Sequence, residues 1–289
     1  MAYAVKTVFP LPIIFIRNVN RSVTMQKASS KIVLITGAAS GLGLEMSKVF
    51  IKKGHQVIMV DLQIDKLKQE AKELGVNAFA YELDLTNGDS VSQLVDDITK
   101  QFKTLDVLVN NAGITHRSLA EQTDIKVIEK VMAVDYLGPV RLAQSCLPLL
   151  SESKGDVINI GSMAGWMPVL GRAGYCAAKS ALHQYFEVMR CEVSRLNVSV
   201  LMVYPSFLDT PIETNALSGN GEKAKHKRSM IGRMGNPSEL AERIYEAYEE
   251  RKERLFPDTF TFIASILYKI APKIFLRAMT KKFASELEQ

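Results

Sequence analysis

Lys31-Ile-Val-Leu-Ile-Thr-Gly-Ala-Ala-Ser-Gly-Leu-Gly43 joins a short apolar run to a turn with three glycines. Five β-branched or leucine side chains in a row, stopped by turn residues, read as a strand buried on both faces. Gly37, Gly41 and Gly43, with Ser40 and Leu42 between them, allow a tight turn. They let backbone N–H groups approach a pyrophosphate at the start of the helix that follows, to about Lys53. The alternation then repeats. Strands are expected at Gln56–Val60, Asn77–Glu82, Leu105–Val109, Asp156–Ile160 and Val198–Val203. Helices are expected at Ile64–Leu74, Asp89–Phe102, near Asp124–Leu149 and near Ala173–Arg195. Apolar strands alternating with helices imply a parallel sheet covered on both faces, and right-handed crossovers make it a doubly wound α/β sheet.

A glycine turn alone also serves ordinary loops. Here a carboxylate, Asp61, closes the second strand 18 residues after Gly43. That is close to the ~20 residues expected of an acid that hydrogen-bonds the adenosine ribose diol. The same charge repels a 2′-phosphate, and neither Ser40 nor Leu62 supplies a cation, so NAD is preferred to NADP. The plainer reading of Asp61 is a solvated strand end.

Four further stretches complete a pattern: Asn110-Asn-Ala-Gly113, Ser162, Tyr175-Cys-Ala-Ala-Lys179 and Tyr204-Pro-Ser-Phe-Leu-Asp-Thr210. With the TGxxxGxG turn, the chain from about Lys31 to Phe256 resembles the short-chain dehydrogenase/reductase family, enzymes with a Rossmann-type fold. The resemblance implies that Tyr175 is the acid/base acting on a substrate oxygen and that Ser162 hydrogen-bonds the same oxygen. Lys179, one helical turn from Tyr175, would hold the nicotinamide ribose, and its ammonium and the positive nicotinamide ring would both favour the phenolate, lowering a phenol that titrates near pH ~10 in water. It further implies that Asp84 and Leu85 meet the adenine, that Asn111, Ala112 and Gly113 line the cofactor floor, and that Pro205 and Thr210 border the nicotinamide. Ser206 stands where the family usually has Gly. Asp135 stands where the family often has an Asn, 27 residues before Ser162. An ionised Asp only accepts hydrogen bonds, and its charge near Lys179 is expected to oppose the ammonium's effect on Tyr175.

The same resemblance puts Met163, Trp166 and Met167 in an apolar substrate wall and makes about 211–235 a lid, although Met and Trp also fill cores. His116 and Arg117 are candidates for the cleft edge. Cys176 reads as ordinary packing inside a helix.

Composition narrows the remaining classes. Among 289 residues, 47% are hydrophobic and 23% charged, within the range of ordinary globular chains. The net charge of +5 is scattered rather than gathered into a nucleic-acid stripe. Three cysteines without CxxC spacing suit a reducing compartment, and the four histidines form no metal-ligand spacing. No apolar run reaches the ~18 residues that suggest a membrane span.

Residues 1–30, with Pro10 and Pro12 interrupting an apolar stretch, read as a loosely ordered arm, and Met25 is a second candidate start. Residues 31–257 read as one dinucleotide-binding and catalytic domain, and 258–289 as an amphipathic helical extension. Phe260, Ile263, Ile266, Leu267 and Ile270 recur there at helical spacing, followed by a stretch with Lys273, Arg277, Lys281 and Lys282. This pattern suits an interfacial membrane anchor, or a hairpin packed on the domain or on a second subunit.

The expectation is an NAD-dependent oxidoreductase that interconverts a secondary alcohol and a ketone, or an aldehyde, on a hydrophobic, lipid-like small molecule. It would be cytoplasmic, with any membrane contact made through the C-terminal helices, and a homodimer or homotetramer. The rival readings are an NADP(H)-dependent carbonyl reductase and a non-catalytic nucleotide-binding scaffold at a membrane surface.

Overall fold

The computed structural model describes residues 30–225, 234–284 and 287. Apart from Ser30, the expected amino-terminal arm lies outside these residues, as do positions 226–233 of the expected lid.

The chain alternates as its hydrophobic pattern demands: β1 (Ile32–Thr36), α1 (Gly41–Lys52), β2 (Gln56–Asp61), α2 (Ile64–Leu74), β3 (Ala78–Glu82), α3 (Gly88–Phe102) and β4 (Val107–Asn110). It continues through α4 (Ile125–Met132), α5 (Gly138–Ser153), β5 (Asp156–Ile160), α6 (Ala173–Val193) and β6 (Ser199–Val203). A short α7 (Pro211–Thr214), α8 (Pro237–Glu249), β7 (Arg254–Leu255), α9 (Thr259–Ile270) and α10 (Pro272–Lys282) follow.

The strands form one sheet in the order β3-β2-β1-β4-β5-β6-β7, and every pairing is parallel. Side-chain alternation divides the strands between two cores. In β1, Ile32 and Leu34 join the face covered by α3, α5 and α6, whereas Val33 and Ile35 join the face covered by α1, α2 and α8. Strand order reverses between β1 and β4. In an open α/β sheet the crevice at that reversal, outside the carboxyl ends of the strands, is where ligands bind.

The single long helix expected near Asp124–Leu149 is instead two helices. Between α4 and α5, residues Ala133–Leu137 form a π-helical turn. The widened turn carries Asp135 into the interior, where its Oδ1 accepts the Ile114 amide at 2.8 Å. Such turns commonly accompany functional sites. β7, α7 and α8 were not expected from the sequence; two and four residues carry no readable period in the first two. No described helix is long and apolar enough to cross a membrane.

Candidate active site

At the crevice, β1 runs directly into the glycine turn. Gly37 adopts φ +67°, and a Cβ there would lie 2.9 Å from Ala112 Cα. A Cβ on Gly43 would lie only 2.2 Å from the Gly37 carbonyl oxygen. Close backbone packing therefore shapes the turn. Thr36 binds it to the strand beside it: its Oγ1 accepts the amides of Asn111 and Ala112, both at 3.0 Å. Asn111 Nδ2 donates back to the carbonyls of Thr36 (2.9 Å) and Gly37 (3.3 Å). Ser40, the residue before α1, makes no side-chain cap, and the first turn of α1 holds no acid. Uncapped amides at a helix start with no acid in its first turn suit a pyrophosphate.

Asp61 closes β2 with its carboxylate fixed by backbone donors, Ala39 N to Oδ2 at 3.1 Å and Gln63 N to Oδ1 at 3.0 Å. Beyond β3, hydrogen bonds from the hydroxyl and amide of Thr86 hold the Asp84 carboxyl below its usual range. The Leu85 carbonyl accepts Arg141 Nη1 at 2.7 Å.

A cleft of about 380 Å³ unites these groups. Gly37, Ser40, Gly41, Leu42, Asp61, Asp84 and Leu85 line it from one side. Asn111, Ala112, Gly113, Ser162, Tyr175, Lys179, Pro205 and Thr210 complete the set expected from the sequence. Two expected residues do not line it. Gly43 lies behind the turn, packed on Gly37, and Asp135 lies behind Lys179.

Tyr175 and Lys179 share one face of α6, as four-residue spacing requires. Lys179 is buried; its Nζ donates to the Ile160 carbonyl at 3.2 Å, pairs with Asp135 Oδ2 at 3.2 Å and sits 5.8 Å from the Tyr175 ring centroid. Ser162 Oγ accepts the Ala164 amide at 3.1 Å, and its hydroxyl favours the ionised form of the neighbouring Tyr175 phenol. Burial opposes charge on Lys179, but Asp135 and Tyr175 outweigh it and raise the ammonium's pKa. Burial likewise pushes the Asp135 carboxyl up, against the pull of Lys179.

The expected lowering of Tyr175 counts on both the Lys179 ammonium and the nicotinamide ring, and the ammonium alone does not achieve it. Burial raises the phenol, Asp135 adds to the rise, and Lys179, Ser162 and Arg172 only partly offset them. The chain's own groups do not by themselves make this tyrosine acidic.

The substrate side differs from expectation in three places. Met163 and Met167 line the cleft, but Trp166 does not. Its indole packs among His183, Tyr204 and Phe256, with Lys269 Nζ 3.7 Å above the ring centroid. Nor do His116 and Arg117 edge this cleft. His116 is buried under α6 and accepts the Gly174 amide at Nε2 (2.9 Å); burial takes its pKa down to about 4. Arg117 reaches α7, donating to the Glu213 carbonyl at 3.0 Å and pairing with its carboxylate at 3.4 Å.

The sequence reading missed Arg172, Glu213 and Thr261, all of which line the cleft. Arg172 Nη2 meets Glu213 Oε2 at 2.8 Å and Nη1 meets Oε1 at 3.2 Å, a forked pair joining the start of α6 to α7. Nη1 also donates to Thr115 Oγ1 at 3.1 Å. The one available signal was an arginine three residues before Tyr175. Glu213 and Thr261 come from segments too far along the chain to be connected by spacing.

A crevice at the strand-order reversal, an uncapped glycine-turn helix and a Ser–Tyr–Lys cluster together define a dinucleotide-binding oxidoreductase. The short chain dehydrogenase family model matches residues 31–221, and the chain belongs to that family. It is 30% identical over 266 residues to mouse (Mus musculus) dehydrogenase/reductase SDR family member 7B, covering 88% of this chain and 82% of the relative. A short-chain dehydrogenase from Streptomyces avermitilis superposes with a TM-score of 0.74 at 26% identity, over 89% of this chain and 97% of that one. The 3-ketoacyl-(acyl-carrier-protein) reductase of Brucella melitensis, solved with NADH, gives 0.70 at 25% identity, over 79% and 96%.

Proposed function

We propose that the protein transfers a hydride between NAD(H) and a secondary alcohol or ketone of a hydrophobic, lipid-like molecule. The observation that carries this reading is the single cleft shared by Asp61, the glycine turn, Ser162, Tyr175 and Lys179. When bound, the nicotinamide supplies or accepts the hydride. Gly37, Ser40, Gly41 and Leu42 would receive the pyrophosphate, and Asp61 the adenosine ribose, where its charge disfavours a 2′-phosphate. Asp84 and Leu85 would border the adenine, Asn111 to Gly113 the floor, and Pro205 and Thr210 the nicotinamide.

Tyr175 exchanges a proton with the substrate oxygen at its phenol, and the Ser162 hydroxyl donates to the same oxygen as charge develops on it. Lys179 holds the ribose and places positive charge beside the phenol. Asp135 and the Ile160 carbonyl fix its ammonium from behind. The apolar side chains of Met163 and Met167 favour a greasy substrate. The reading includes a cytoplasmic location and a homodimer or homotetramer.

Following NADH formation over a panel of hydroxylated lipids tests the reaction. Tyr175→Phe is expected to lower kcat by about 10³-fold, within the range for general acid–base groups, while NAD still binds. A variant as active as the parent would overturn the assignment of Tyr175. Tighter binding of NADPH than NADH would overturn that of Asp61.

A further inference from the structure

The helix α9 is inverted. Its buried positions are Thr261 and Ser265, four residues apart, whereas Phe260, Ile263 and Ile270 are about 60–80% exposed. Ile266 and Leu267 are also exposed, and α10 continues the apolar surface with Ile274 and Leu276. A water-facing helix has the opposite distribution, and contiguous exposed apolar surface of this kind marks an interaction site.

Charge indicates what covers it. Between Thr259 and Ala284 there are five cations and no acid, and acids resume only at Glu286. Those five cations equal the net charge of the whole chain. Lys269 lies over Trp166. Lys273, Arg277, Lys281 and Lys282 are exposed, without a carboxylate partner among the described residues. A second copy docking by two-fold symmetry would set this cationic surface against itself. An anionic bilayer surface accepts both features at once: headgroups meet the cations and the acyl boundary meets the apolar side chains.

We propose that α9 and α10 form an interfacial docking surface for anionic lipid membranes. Because Thr261, on the inward side of α9, lines the cleft, the docked helix is also a wall of the site. A membrane-bound protein would thus hold its cleft one helix thickness from the lipid.

The test is sedimentation of the full-length protein with phosphatidylcholine vesicles, with and without phosphatidylserine. Binding is expected to require phosphatidylserine and to weaken as salt rises. The quadruple variant Lys273→Glu, Arg277→Glu, Lys281→Glu, Lys282→Glu is expected to lose at least about a hundredfold in affinity. Ile263→Ser, Ile270→Ser, Ile274→Ser is expected to lose binding while keeping the parent's circular dichroism, since all three side chains are exposed. Unchanged vesicle binding in both variants would overturn the proposal. So would a parent that ignores vesicles but forms a dimer that the serine variant splits, which would assign the face to a second copy.

Discussion

The two walls of the cleft are built on different physical principles. On the cofactor wall, backbone packs on backbone, Gly43 on the Gly37 carbonyl and Gly37 on Ala112, and the Thr36 hydroxyl ties two neighbouring amides to the turn. On the substrate wall, distant segments are held by buried charge, with Arg117 and Arg172 converging on Glu213 of α7. The first arrangement is local and demands particular residue types. The second depends on which distant segments the fold brings together.

The largest effect should come from the backbone wall. In Gly43→Ala the new methyl would have to displace the Gly37 carbonyl from a contact of 2.2 Å, and neither atom belongs to a flexible side chain. The expected cost is about 3 kcal/mol, seen as a lower Tm and a loss of at least about a hundredfold in NADH affinity by fluorescence titration. Parent-like binding would show that the turn tolerates a side chain, and the contrast between the walls would lose its basis.

That contrast also explains what could be read in advance. The sheet, the glycine turn and the pairing of Tyr175 with Lys179 were legible because each is a short-range pattern: apolar runs, fixed glycine positions, one helical turn. Asp61 followed from its distance to the turn. Glu213 was hidden because its partners, at positions 117 and 172, are joined to it only by tertiary structure. Asp135 was located, but its π-helical setting was not, since a π turn has no spacing signature distinct from an α-helix. Trp166 was misplaced for a similar reason: its cluster draws on Phe256 and Lys269, from the far end of the chain.

Glu213→Gln separates the walls directly. It removes the anion between two buried guanidiniums and leaves them facing each other. Breaking such a pair is costly, and the partial exposure of Glu213 reduces the expected loss to about 2 kcal/mol of stability. Release of α7 should raise KM severalfold, with NADH affinity within about twofold of the parent's because the glycine turn is untouched. Equal losses in substrate and cofactor binding would mean that the walls are coupled and not independent.

The smallest effect probes the junction between them. Asp135 raises the Tyr175 phenol, whereas Lys179 lowers it. Asp135→Asn keeps an acceptor for the Ile114 amide but removes the negative charge. The proton-loss limb of kcat/KM for alcohol oxidation should therefore move to lower pH. Asp135→Ala is the structural control: it abandons the Ile114 amide and leaves the Lys179 ammonium buried without its anion, at a cost of about 3 kcal/mol. A shifted limb in the Asn variant, with stability near the parent's, would establish that the carboxylate acts through its charge on the Lys179–Tyr175 pair. An unmoved limb would mean that burial keeps Asp135 protonated, so that its role is to hold Lys179 and the Ile114 backbone in place.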